Sequence, residues 1–323
     1  MKNLSLKLKI LLSVVIALSL VILLLSWQSY SSQKSMLLQD SQEQVQRLGS
    51  QQAASVSDWL AARRDVIQAL GNKAGAEPLN ALQQAQVSGR FQLTYFGEGS
   101  GKMNDSDPSI NRDGYDPRSR GWYQEAMAKG GMIVTKPYLD VAYNILVVTL
   151  AQPAQGGVVG GDLSIASLVD DITKMKLPAD GFAILMHKDG TVIAYKDAAK
   201  AMKPASEIDN DLTNALIEQS KASNSLVPAF FDNEGRDKLL WATDIPDTDW
   251  ELVLVLDKST LEAPLSSLLM TQLGLALLVL VGSILAISWL VSLLLGPLTK
   301  VSQALARIAD GNGDLTQRIK IDA

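Results

Sequence analysis

The chain has 323 residues, no cysteine, one histidine and a formal net charge of −5. That length holds one large or two modest domains. Without cysteine there are no disulfides, thiolate nucleophiles or zinc–thiolate sites, and the mild acidity argues against nucleic acid, whose phosphates require clustered Lys and Arg.

Residues 10–27 form a charge-free apolar run preceded by Lys2, Lys7 and Lys9, and a spanning helix needs ~20 apolar residues. A cleaved signal peptide is the alternative. The run is longer than a usual signal core, and Ser26-Trp27-Gln28-Ser29-Tyr30 offers no small-residue cleavage site, so an uncleaved anchor is expected. Residues 31–72 read as one long helix. Leu38, Val45, Leu48, Val56, Leu60, Ile67 and Leu70 recur at helical spacings and Gly71 stops the run. Such a stripe needs a sheet or a partner helix against it.

Strand signals follow at residues 90–96, 144–152 and 158–163, the last containing Gly160-Gly161 as if another backbone approached closely. Gly97-Glu98-Gly99-Ser100-Gly101-Lys102 resembles a phosphate loop, but Phe96 stands where a glycine is required and Met103 replaces the Ser/Thr; it reads as a turn. A short helix is expected over residues 164–175, with Asp170-Asp171 on its solvated face, then a linker at Leu177-Pro178-Ala179-Asp180. A second unit begins at Gly181, with strands at 182–187 and 191–195, a helix at 209–219, and strands at 225–231, 238–243 and 250–256. His187 lies where the first of these strands enters the turn Lys188-Asp189-Gly190, and a structural role is expected for it. Asp232-Asn233-Glu234-Gly235 is a hairpin turn.

Residues 268–295 are a second charge-free apolar run, followed by Lys300, Arg307 and Arg318. The positive-inside rule places both ends in the cytoplasm and residues 28–267 outside. Asp310-Gly311-Asn312-Gly313-Asp314 resembles a calcium loop, but Leu315 stands where the sharp-turn glycine belongs, so a connector is expected. The fold class is therefore α+β: a long helix packed on two successive α+β modules, flanked by two transmembrane helices. The expected partition is 1–9 cytoplasmic, 10–27 membrane helix, 28–267 outer domain, 268–295 membrane helix and 296–323 cytoplasmic. Within the outer domain the long helix takes 28–72, a membrane-distal module 73–176 and a membrane-proximal module 177–267.

Recognition chemistry is densest in Asp113-Gly114-Tyr115-Asp116-Pro117-Arg118-Ser119-Arg120-Gly121-Trp122-Tyr123. Arginine offers a planar fork for a carboxylate, and Trp and Tyr offer flat walls with one donor each. Tyr138 and Asp140 follow, two apart and so on one face of a strand, then Asp162 on a strand. Together they complement a zwitterion. The competing reading puts Trp122 and Tyr123 in the core and Arg118 and Arg120 on the surface.

These residues resemble the double Cache (dCache) sensor domain of methyl-accepting chemotaxis receptors, in its amino-acid-recognising subset. That signature is a Tyr, an Arg-x-Trp-Tyr, a Tyr-x-Asp and a later Asp. Here it is met by Tyr115, by Arg120-Gly121-Trp122-Tyr123, by Tyr138-Leu139-Asp140 and by Asp162. The resemblance implies PAS-like modules, with Arg120, Trp122 and Tyr123 on a ligand carboxylate and Tyr138, Asp140 and Asp162 on its amino group. Side-chain selectivity is expected from the walls at residues 90–96 and 97–113. Gly296-Pro297-Leu298, with Val301, Leu305 and Ile308, resembles the first helix of a HAMP relay, and Gly313-Asp314-Leu315-Thr316 its connector. The sequence stops at Ala323 within the HAMP region, without the relay's second helix or an output domain, as expected of a truncated gene product or a fragment.

The expected function is a receptor in the bacterial inner membrane that binds free amino acids in the periplasm. It is not expected to be an enzyme, and neither cofactor nor metal is implied. A homodimer is expected because both helical stripes want partners, with a chemotaxis kinase and coupling protein reached only through the missing cytoplasmic part. The alternatives are the sensor half of a histidine kinase or of a diguanylate cyclase or phosphodiesterase, and a purely structural ectodomain.

Overall fold

A computed structural model describes residues 6–73, 78–232 and 235–309. The chain divides into two compact units, one of Gln39–Leu261 and one of the flanking segments. Two long helices dominate: α1, Leu6–Gly71, and α6, Lys258–Ala309. Both are long and apolar enough to cross a membrane. In the flanking unit their apolar side chains stay uncovered, with Leu24 68% and Leu278 71% exposed. Polar contacts tie the pair: Gln272 donates to Ser29 Oγ at 2.8 Å and Lys34 pairs with Glu262 at 3.1 Å. α1 continues without a break from the first apolar run into the long helix. α6 begins at Lys258, inside the segment expected to belong to the outer domain. The calcium-loop-like stretch and the HAMP-like connector lie outside the described residues, as do two residues of the 232–235 turn.

The Gln39–Leu261 unit is built on two antiparallel sheets. The distal module comprises α2 (Leu79–Gly89), β1 (Leu93–Glu98), β2 (Met103–Asp105), α3 (Gly121–Lys129), β3 (Ile133–Val134), β4 (Tyr138–Leu139), β5 (Leu146–Ala154), β6 (Gly157–Ser164) and α4 (Ala166–Thr173). Its sheet runs β2-β1-β6-β5-β3, with β4 also on β5. The proximal module comprises β7 (Phe182–His187), β8 (Val192–Ala194), α5 (Asn214–Ser223), β9 (Val227–Phe231), β10 (Arg236–Asp244) and β11 (Trp250–Asp257). Its sheet runs β8-β7-β11-β10-β9. In both sheets the last strand inserts beside the first, so one strand order is used twice.

The apolar stripe of α1 is covered within the chain itself: Val45, Val56, Leu60 and Ile67 are at most 3% exposed. Two glycines permit the close approach. A Cβ on Gly49 would lie 2.1 Å from the Trp241 ring, and one on Gly161 would lie 2.8 Å from Ile67. The stripe over this stretch is therefore satisfied by the sheets, and its need for a partner helix falls away.

Some element boundaries differ from expectation. The helix placed at 209–219 begins at Asn214, because Thr213 caps it by accepting from the Leu216 N–H at 3.3 Å. Asp209 instead is fully buried and its carboxylate accepts from the Asp211 N–H. Arg90 is no strand residue; it closes α2 in the left-handed conformation at φ 51°. The phosphate-loop look-alike is the β1–β2 turn, with Gly101 at φ 97°.

Candidate ligand-binding site

The site lies on the face of the distal sheet opposite α1. Register brings Leu93, Asp162 and Thr149 side by side on β1, β6 and β5, with Tyr95, Gly160 and Ala151 as the next row. Gly160 matters here. A Cβ on it would meet the Tyr95 ring at 2.4 Å, so its absence lets the ring lie across β6 and carry its hydroxyl to Asp162. Three hydroxyls converge on Asp162 Oδ1: Thr149 at 2.5 Å, Tyr95 at 2.7 Å and Tyr138 at 3.4 Å. Tyr138 and Thr149 also bond to each other at 2.6 Å. Asp162 is 2% exposed. Burial pushes its carboxyl up to about 7, helped by the charge of Asp140 and opposed by the three hydroxyls. Burial and the neighbouring Asp162 likewise raise the phenols of Tyr95 and Tyr138.

A second wall comes from α3 and the turn before it. Asp116 caps that turn by accepting from the Arg118 N–H, and Arg120 is the N-cap residue of α3. Trp122 packs on Tyr95, ring centroids 4.8 Å apart. Arg112 and Arg120 both lie over the Tyr115 ring, at 4.6 and 4.3 Å, a favourable stacking of guanidinium on an aromatic face. Arg112 is committed to Asp105 through two hydrogen bonds of 2.8 and 2.7 Å. Burial disfavours its charge, yet that pairing outweighs burial and leaves its pKa raised. Among the described residues Arg120 has no such partner, and its Nε is buried without a hydrogen bond. Arg118 differs again: its side chain is 49% exposed and pairs with Asp116.

Six of the seven residues singled out in the sequence line one cavity of about 470 Å³: Tyr115, Arg120, Trp122, Tyr138, Asp140 and Asp162. Tyr123 does not. It is 8% exposed and packs edge-on behind Trp122 at 5.6 Å, so the core reading holds for it. Asp140 reaches the cavity by another route than expected. β4 ends at Leu139, and Asp140 opens a turn in which its carboxylate accepts from the Tyr143 N–H at 2.7 Å. Sequence reasoning passed over Glu125, Lys136 and Thr149. Tyr95, Met103 and Arg112 fall within the walls expected at 90–96 and 97–113. Thr149 could have been found by pairing β5 with β6, and Glu125 by recognising α3. Among the described residues no cluster of His, Cys, Asp and Glu could hold a metal.

One wall thus presents a guanidinium that has no carboxylate partner among the described residues, and another presents carboxylates with hydroxyls, which suits a small molecule carrying both charges. The comparisons with known proteins point the same way. The methyl-accepting chemotaxis protein PctB of Pseudomonas aeruginosa is 30% identical over 99% of this chain and 52% of its own length. PscA of Pseudomonas syringae, also a methyl-accepting chemotaxis protein, is 30% identical over 99% of the chain and 52% of its own length. The chain therefore spans about half the length of these relatives. Among solved structures, the ligand-binding domain of the Pseudomonas fluorescens chemoreceptor CtaA with L-isoleucine superposes with a TM-score of 0.61 at 26% identity, covering 72% of this chain and 98% of that one. The PctB ligand-binding domain with L-Gln gives 0.59 at 28%, covering 73% and 98%. Residues 30–265 match the Cache domain family in its dCache form, and the chain belongs to that family.

Proposed function

We propose that this chain is the sensory part of a membrane chemoreceptor, rather than an enzyme, and that it binds a free amino acid in the distal cavity. The observation that carries this reading is that one cavity holds both Arg120, which has no carboxylate partner among the described residues, and Asp162, whose Oδ1 gathers three hydroxyls in a buried site. Arg120 and the Trp122 indole receive the ligand carboxylate beside Tyr115. Asp162, Asp140 and Tyr138 receive its ammonium. Both charges of a buried zwitterion need partners, because an unpaired buried charge costs several kcal/mol. Tyr123 takes part only by fixing Trp122.

The outer domain faces the periplasm in this reading, by the Lys and Arg flanks of the two apolar helices. A reporter fused after Asp180 is active only if exported, and one fused after Ala323 only if cytoplasmic; the reverse pattern overturns the orientation. Ligand occupancy biases a two-state equilibrium, by no more than its differential affinity for the two states. The segment that carries Tyr138 begins at Lys136, which pairs across to Asp189 of the proximal module. Asp257 at the end of β11 then caps the first turn of α6, accepting from the Thr260 N–H at 2.9 Å. These contacts offer a route from cavity to output helix, which leads on into the HAMP-like segment and the chemotaxis kinase and coupling protein. A homodimer would draw on surfaces other than the α1 stripe already covered by the sheets. A thermal-shift screen of the full chain against free amino acids tests the central point: at least one raises the melting temperature, and none doing so contradicts it.

A further inference from the structure

The charges around the cavity do not balance, and the imbalance lies away from the groups assigned to the ligand's two head groups. Arg112 is neutralised by Asp105 in a two-point salt bridge with side chains 14% and 4% exposed. Lys136, also on the cavity wall, is neutralised by Asp189. Arg120 meets the ligand carboxylate, and Asp162 with Asp140 meets the ammonium. One charged side chain on the wall remains: Glu125. Among the described residues it has neither a hydrogen bond nor an ion pair.

Its position follows from α3. Glu125 is four residues beyond Gly121, hence one turn along the same helix face, and Gly121 itself lines the cavity. Because Gly121 has no side chain, nothing separates the carboxylate from that wall: a Cβ there would lie 3.6 Å from Glu125 Oε1. Glu125 and Lys136 also line a neighbouring cleft of about 630 Å³ shared with His187 and Asp249 of the proximal module. On the cavity wall itself Glu125 is, on this side and among the described residues, the charged side chain without a partner, and the cleft beyond it also carries Arg64 and Lys129.

We infer that Glu125 is a specificity-determining residue and that the site selects amino acids with a cationic side chain, of the arginine, lysine or ornithine type. The inference rests on the amino-acid reading above. On the cavity wall, among the described residues, a zwitterion leaves the carboxylates of Asp140, Asp162 and Glu125 facing one uncommitted cation, Arg120. A third charge on the ligand, positive and at the end of an extended chain, restores part of the balance and pairs with Glu125. A neutral side chain of equal length leaves Glu125 unpaired, and an acidic one meets like charge.

The test is calorimetric titration of the full chain in lipid nanodiscs with L-arginine, L-lysine, L-glutamine, L-methionine, L-glutamate and L-alanine. The wild-type protein is expected to bind arginine or lysine at least tenfold more tightly than glutamine and methionine, and glutamate most weakly. In Glu125→Gln that ratio is expected to fall to about one, and in Glu125→Lys to invert in favour of glutamate. Binding of alanine and glutamine without preference for the basic ligands overturns the specificity inference and leaves the amino-acid reading standing. Binding of none of the six overturns the amino-acid reading as well. The wild-type ratio decides the matter even where a variant fails to fold, and a ratio unchanged in a folded Glu125→Gln protein removes Glu125 from the role.

Discussion

The two modules share a strand order and use it for opposite ends. In the distal sheet the strand beside β1 presents Gly160 and Asp162, and the space above it is a cavity. In the proximal sheet the corresponding strand, β11, presents Val253 and Val255, and the space above is filled by Ile184, Met186, Tyr195, Ile217 and Phe231. Glycine makes room and buried aspartate creates a demand for a partner, whereas paired valines close the same volume and demand nothing. The difference teaches that topology sets where a site can be, while a few inward-facing residues decide whether one exists.

Removing bulk from the filled module is expected to have the largest effect. Trp241 is 2% exposed and lies against Gly49 of α1. Trp241→Ala should destabilise the fold by about 3–5 kcal/mol, seen as a lower melting temperature. Ligand affinity of the folded variant should change by no more than about twofold, since the sites are in separate modules. An equal loss of affinity would break the division of labour between modules.

In the hollow module the expected loss is in binding. Arg120→Ala and Asp162→Ala should each cost about 2–5 kcal/mol of ligand affinity, roughly 30-fold and upward, measured by calorimetry on variants shown to be folded.

The pH dependence sharpens the same contrast. With the carboxyl of Asp162 pushed up to about 7 by burial, binding an ammonium must first remove a proton below that pH. Affinity should therefore fall about tenfold between pH 8 and pH 6. The ligand-free stability follows the opposite sign. Between the ordinary carboxyl pKa and about 7 the native state holds a proton that the unfolded state has lost, so this group's contribution to stability falls as pH rises through that window. Its slope is at most about 1.4 kcal/mol per pH unit, and Asp162→Asn should flatten it. Melting curves from pH 4 to 8 on both proteins check this, and identical slopes would count against it.

Arg118 is the smallest case. Its side chain is 49% exposed and pairs with Asp116 at the surface, where solvent screens the pair, so Arg118→Ala should leave affinity and stability close to those of the wild type. A loss as large as that of Arg120→Ala would mean that the two arginines had been assigned to the wrong sides of the wall.

Much of this architecture was legible in the sequence because its determinants are periodic. The α1 stripe from Val45 to Leu70 repeats helically over many turns, and both apolar helices are long enough to read by length alone. Gly160-Gly161 announced a close approach, and each glycine admits a different neighbour, Tyr95 on one face and Ile67 on the other. The unread parts are short or locally overridden. β3 and β4 have two residues each, too few to show a period. α3 opens on Gly121 and buries only Trp122, Tyr123 and Ala126, so its pattern is faint. That helix also explains Tyr123: neighbours on a helix diverge by about 100°, so Trp122 can face the cavity only while Tyr123 turns behind it. Asp140 escaped the alternation rule because Asn144, at φ 55°, closes a turn rather than extending β4. Asp209 looked like a helix start, but its burial gives it other work and Thr213 supplies the cap.

The central claim is that Arg120 and Asp162 hold the two ends of one zwitterion. Titration calorimetry of the full chain with its best-binding amino acid, the N-acetyl derivative and the carboxamide tests it most directly. Only the free amino acid should bind tightly to the wild-type protein. Asp162→Ala should lose its discrimination against the acetylated form, and Arg120→Ala against the amide. Blocked forms that bind wild type as tightly as the free amino acid would contradict the account.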